Sequence, residues 1–177
     1  MNAGEGPSRP HGGKDMPSGI AAIRRIIELW ALLGGLVLLA VVLVNVASLA
    51  GNIAFRQPVP GDFEIVEVGV AVSVFMFLPY CQLTGANVTA DIFTSWAGPK
   101  LLAVLALIAS VVALVVAILL LWRMSNGLID YRQYREVTTI YQFPIWYAFI
   151  PILISLFLLV LACFITLFDA MRDVRAA

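Results

Sequence analysis

The sequence predicts an all-α integral membrane protein with four transmembrane helices, a short interfacial helix between the second and third, and both termini cytoplasmic. Three observations predict it. Of 177 residues, 62% are hydrophobic and 12% charged, about half the charged share of a soluble domain, so water is not the chain's main solvent. Four apolar runs approach or exceed the roughly 20 residues that cross about 30 Å of hydrocarbon as a helix. Along a four-span path that begins inside, Arg9, Lys14, Arg24, Arg25, Lys100, Arg172 and Arg175 fall on the inner side, and Arg56, Arg123, Arg132 and Arg135 on the outer. That excess is the one that keeps basic loops in the cytoplasm.

Residues 1–22 form a tail rich in Gly, Pro and Ser, too poor in apolar side chains to repay the entropy of ordering. It is expected to be disordered, leaving residues 23–177 as the transmembrane domain. The first helix, about residues 26–50, follows Arg24 and Arg25 but is longer than the apolar core of a cleaved signal peptide. The second, about 63–83, starts after Pro58-Val59-Pro60-Gly61-Asp62. Asp62 suits an N-cap, and Glu64 and Glu67 suit the positive end of the helix dipole. In residues 87–96, Val88, Ile92, Phe93 and Trp96 share one helical face, the pattern of an interfacial helix. The third and fourth helices, about 101–122 and 143–168, contain no charge and are long enough to tilt or project. Residues 123–142 read as a partly helical connection that flanks the membrane. Trp30 and Trp96 would mark the inner interface, Trp122 and Trp146 the outer one.

Few residues offer chemistry. His11 is the single histidine and lies in the tail, while Cys81 and Cys163 fall in or beside apolar runs, so no helix can present imidazole ligands to haem or metal. No phosphate loop, HExxH, CxxC or nucleophile elbow is present, so neither a catalytic centre nor a cofactor is expected. The 11 basic and 11 acidic residues balance, which argues against a nucleic-acid partner. Asn87-Val88-Thr89 matches a glycosylation sequon, but its loop is expected in the cytoplasm.

The remaining candidates concern assembly. Ala103, Ala106, Ser110, Ala113 and Ala117 form a stripe of small side chains on the third helix that lets another helix approach closely. Glu67 comes closest to an intramembrane charge, with headgroup exposure or pairing to a partner's Arg as its two readings. Glu28 stands one turn beyond Arg24 and Arg25, at ion-pair spacing. Asn45 fits an interhelical hydrogen bond. Glu64, Glu67, Asp91, the small-residue stripe and Trp146 are the candidate interface or structural residues.

Several segments together resemble the small, DctQ-type membrane subunit of tripartite ATP-independent periplasmic (TRAP) transporters. They are Pro58-Val59-Pro60-Gly61-Asp62-Phe63-Glu64, Phe77-Leu78-Pro79-Tyr80-Cys81-Gln82-Leu83 and Val88-Thr89-Ala90-Asp91-Ile92-Phe93. Thr138-Thr139, Phe143-Pro144-Ile145-Trp146 and Ile150-Pro151 follow later in the chain. The sequence departs from the family's pattern at Ala86-Asn87, where relatives carry Gly-His, and at Asn52, where an Arg is common. The resemblance implies a large DctM-type membrane subunit that carries the sodium and substrate sites, and a periplasmic DctP-type protein that delivers an organic acid such as a C4-dicarboxylate. It also implies a scaffold role for this chain in the lipid bilayer of a bacterial inner membrane. Arg56, Arg123, Arg132 and Arg135 are the candidates for docking the binding protein, because they carry the outward charge. A self-contained homo-oligomeric transporter or channel, assembled through the alanine stripe, is the alternative.

Overall fold

A computed structural model describes residues 18–56, 59–85 and 99–176. Four helices follow one another: α1 Ser18–Phe55, α2 Asp62–Thr84, α3 Pro99–Tyr134 and α4 Trp146–Ala176. All four are long and apolar enough to cross a membrane. The expected interfacial helix at 87–96 lies outside the described residues.

The helices outrun their expected ends. α1 has 38 residues, α3 36 and α4 31, or about 57, 54 and 47 Å at 1.5 Å per residue, against a hydrocarbon thickness of about 30 Å. Hydropathy marks only the part of a helix that lipid selects, whereas backbone hydrogen bonding carries the helix on through polar residues. α1 therefore starts at Ser18, before Arg24 and Arg25, and α3 runs past Arg123 through a segment expected to be only partly helical. α4 begins three residues later than expected, because Pro144 and Ile145 belong to the connection before it.

In space the order is α1, α2, α4, α3: α2 packs on α1 and on α4, and α4 packs on α3. α4 is the hub. Its Ile152, Leu156, Leu159 and Cys163 are buried with Ala117 of α3, and Val72, Phe75 and Leu78 of α2 pack against them. Leu158 and Ala162, on another side of α4, close over Ile27 of α1, with Trp30 alongside. Elsewhere α1 and α3 turn large apolar side chains outward, among them Leu32, Leu36, Leu43, Val112, Val115 and Leu119. In water such faces would aggregate, but lipid is as apolar as leucine and leaves them without cost.

Two glycines set the approach of α1 to α2. A Cβ on Gly34 would stand 2.8 Å from the Met76 Cβ, and one on Gly69 would run into the Val41 side chain. Lacking a hydrophobic drive to join helices in lipid, close backbone approach through small residues supplies the dispersion contact instead.

Polar side chains inside the bundle bond across or along helices. The Trp30 indole N–H donates to Ser155 Oγ at 2.9 Å, and Ser155, fully buried, donates on to the Pro151 carbonyl at 2.7 Å. Trp30 was expected as an interface anchor, yet its polar edge is turned inward. Gln82 Nε2 donates to Thr166 Oγ1 at 3.1 Å, joining α2 to α4. Arg24 pairs with Asp169 of α4 at 3.7 Å, not with Glu28, which stays exposed. This places the start of α1 and the end of α4 at the same end of the bundle.

Replacing Gly69 with Leu forces α1 and α2 apart, at an expected cost of about 1–3 kcal/mol, the range for overpacking. Thermal unfolding in detergent should show the drop, and adding Val41→Ala should restore part of it.

Candidate functional site

A further set of polar residues gathers at the end where α1 turns into α2 and α3 into α4. Three connected features build this end.

The first is the α1–α2 turn. Gly61 sits at φ 71°, in the left-handed region, just before α2, and a Cβ there would meet Tyr141 Cε2 at 2.6 Å. Both the backbone angle and the neighbour call for glycine. Gly61 is the N-cap, and its carbonyl accepts from the Glu64 N–H at 3.1 Å. Asp62, expected in that role, is instead the first residue of the helix. Its Oδ2 accepts from the buried Ser48 hydroxyl of α1 at 2.5 Å, and its Oδ1 from the Phe63 N–H at 2.8 Å. Ser48 Oγ in turn accepts from the Val59 N–H at 3.1 Å. One hydroxyl thus ties α1, the turn and α2 together.

The second feature is the connection between α3 and α4. Arg135, at φ 52°, ends α3 in the left-handed conformation, and the Glu136 N–H returns to the Tyr131 carbonyl at 3.3 Å, a usual way to satisfy a helix's last carbonyls. Val137 and Pro144 then pair as an antiparallel bridge. The Thr138 N–H donates to the Phe143 carbonyl at 3.0 Å, and Thr138 Oγ1 accepts from the Phe143 N–H at 3.1 Å. The result is a small hairpin over 136–145, where the sequence suggested a partly helical connection flanking the membrane.

The third feature joins these two. Glu64, in the first turn of α2 and 6% exposed, accepts from the Ile140 N–H at 2.7 Å and from the Tyr141 N–H at 3.3 Å. The hairpin tip presents two N–H groups that have no ladder partner, and a buried carboxylate is the strong acceptor that can satisfy both. Beneath the hairpin lies an apolar recess of about 750 Å³, walled by Val37, Val44 and Val68 and roofed by Glu64, Tyr141 and Phe143. It opens because α1 meets α4 near Ile27 and Trp30, at the far end.

The other candidates are dispersed. Arg132, in the last turn of α3, holds its guanidinium 6.0 Å from the Trp146 ring, which stacks on Tyr147 at 3.9 Å. Arg56, at φ 53°, ends α1 at this same end of the bundle and is exposed, as is Arg135. Arg123 is not in the connection at all. It lies on α3, 11 residues before Tyr134, about 16 Å along the axis. Of the small-residue stripe, Ala117 is buried against α4 and Ala113 packs beside it, whereas Ala106 is exposed. The side chain of Ala103 and all of Asp91 lie outside the described residues. Glu67 and Asn45 are both exposed and line a shallow cleft between α1 and α2.

Sequence reading missed Ser48, Ser155 and the tip of the hairpin. Ser48 and Ser155 sit in apolar runs where a serine carries no positional signal. The hairpin could have been suspected from Thr138-Thr139 and Phe143-Pro144, polar and Pro-containing pairs between two spans, but its pinning by Glu64 spans 76 residues of sequence.

Among the described residues no group of His, Cys, Asp and Glu could hold a metal ion, and Ser48, Asp62, Glu64 and Thr138 at this end are engaged with other groups of the chain itself. The class so defined is a multi-pass membrane protein whose visible polar chemistry joins its own helices. The sequence model of the DctQ component of tripartite ATP-independent periplasmic transporters matches residues 38–173, and the chain belongs to that family, one of transporter subunits and not of enzymes. No curated protein and no solved structure matches it.

Removing the Glu64 acceptor should free the hairpin while leaving the helices in place. In Glu64→Ala, amide exchange at Ile140 and Tyr141 is expected to accelerate roughly tenfold or more, the scale set by one lost charged hydrogen bond. Exchange in the middle of α4 should stay slow. Glu64→Gln, which keeps one carbonyl acceptor, should fall between the two.

Proposed function

We propose that this chain is the static small membrane subunit of a sodium-coupled, binding-protein-dependent importer of an organic acid, seated in a bacterial inner membrane with both termini cytoplasmic. Its partners are a large membrane subunit, which carries the sodium and substrate sites and moves, and a periplasmic binding protein that delivers the solute. Family membership supports the assembly. The observation that supports the static role is the use of polar groups. Ser48 with Asp62, Glu64 with the hairpin, Trp30 with Ser155 and Gln82 with Thr166 each fasten two parts of the bundle together. A conducting path for an anion or Na⁺ needs polar groups free to coordinate at depth; these are engaged in holding helices. A rigid four-helix block widens the fixed part of the complex against which a moving part can slide.

The homo-oligomeric alternative loses part of its motive, since Ala113 and Ala117 of the proposed oligomer stripe pack against α4 of the same chain.

At the hairpin end Arg56, Arg132 and Arg135 are exposed, with the acidic Asp130 and Glu136 beside the latter two, and are the charges available to the binding protein. In reconstituted liposomes, Arg132→Glu with Arg135→Glu should reduce binding-protein-dependent uptake several-fold, as rim charges act chiefly on encounter rate. The large subunit should copurify as before. The purified small subunit alone should show no sodium-driven uptake, and uptake by it alone would overturn the reading.

A further inference from the structure

One polar pair in the bundle has no work to do within the chain. Glu67 of α2 and Asn45 of α1 face outward together, and among the described residues neither makes a hydrogen bond or an ion pair. With Asp62, Phe63 and Val66 they line a cleft of about 400 Å³. Asp62 cannot answer Glu67, because it is itself a carboxylate, held by the Ser48 hydroxyl and the Phe63 N–H, and like charges repel.

In a soluble protein an exposed glutamate needs no explanation. In this one, depth does. Glu67 lies five residues beyond Asp62, about 7.5 Å further into the bundle. On the neighbouring helix, exposed apolar side chains continue outward past Asn45 to Ile53 and Phe55, which are 76% and 78% exposed. Phe55 is ten residues, or about 15 Å, beyond Asn45. The apolar band of the surface thus extends well past the level of the Asn45–Glu67 pair. An ionisable group facing outward inside that band is expensive and calls for a counter-charge.

The cleft is also continuous with an apolar groove on the same side. Asn45 and Val66 belong to both, and the groove runs on between Val42, Val46 and Val70, each exposed. A carboxylate and an amide at one level, followed by a shallow valine-lined track along the helix axis, match a helix that carries one cationic side chain and is otherwise apolar. A phospholipid tail would suit the valines but brings no cation to the level of Glu67.

We propose that this face of α1 and α2 docks a transmembrane helix of the large subunit, whose Lys or Arg at this depth pairs with Glu67 and donates to the Asn45 amide oxygen. The assignment rests on the subunit reading above and names the surface by which it is realised. Val70, in the groove, would touch the docked helix directly.

The test uses the complex expressed with its large subunit. A photocrosslinking amino acid at position 70 should capture the large subunit, and one at Val112, on the exposed face of α3, should not. Glu67→Gln, close in size and without charge, should lower the large subunit recovered in mild detergent by roughly tenfold or more, as expected for stranding a buried cation. Monodispersity of the variant on its own checks that it still folds, and Glu67→Lys should abolish recovery. If the wild-type chain recovers the large subunit but both Glu67 variants recover it equally well, or position 70 captures lipid alone, the assignment is overturned and the subunit reading stands. If the wild-type chain recovers no large subunit, both fall.

Discussion

Inside a bilayer no water is present to satisfy a polar group, and every feature of this bundle that is not plain apolar packing follows from that constraint. A hydroxyl, an indole N–H or a carboxylate within the apolar band must find its partner in protein. The bundle uses this requirement as its means of cohesion. Apolar faces discriminate weakly between lipid and a neighbouring helix, whereas a serine or a glutamate with one available partner specifies a register. Ser48 fixes α1 on α2, Ser155 fixes α1 on α4, and Glu64 fixes α2 on the α3–α4 hairpin.

These fastenings are arranged unevenly, and the unevenness shapes the molecule. At the end that holds both helical termini, α1 lies against α4 through Ile27, Trp30 and the Arg24–Asp169 pair. The pair itself is partly solvent-exposed and adds little energy. At the opposite end α1 is held by α2 and the turn, and the hairpin occupies the space above. The recess beneath it is a consequence of this divergence. α4 is touched by all three other helices, and α3 is held chiefly by its contact with α4, whereas α1 and α2 also pack directly on each other.

Two of the segments that carry the family resemblance, residues 59–64 and 138–143, are far apart in sequence but not in space. Gly61, Asp62 and Glu64 meet Thr138, Tyr141 and Phe143 at one end, where Gly61 gives room to the Tyr141 ring and Glu64 takes the hairpin's N–H groups. The Pro-Gly-Asp-Phe-Glu and Thr-Thr segments are two halves of one device. It holds Arg132 and Arg135 in a set position, since the hairpin that follows them cannot swing while its tip is bound to α2.

Much of the architecture was legible from composition and run length, because lipid imposes a simple rule: about twenty apolar residues make one span. The four spans among the described residues, their order and their approximate centres follow from it, and the acidic start of α2 was placed as well. The helix ends were not legible, since hydropathy reports the membrane and not the backbone hydrogen bonds that carried α3 past Arg123 and α1 back to Ser18. Nor was the role of individual polar residues. Asp62 gave up the N-cap to a left-handed Gly61, Arg24 chose Asp169 over Glu28, Trp30 turned inward, and Glu64, read as a dipole partner, closes a contact 76 residues away. Such choices depend on which groups the fold brings within hydrogen-bonding or ion-pair distance, and in a medium where an unpaired polar group costs several kcal/mol, that proximity decides what each side chain does.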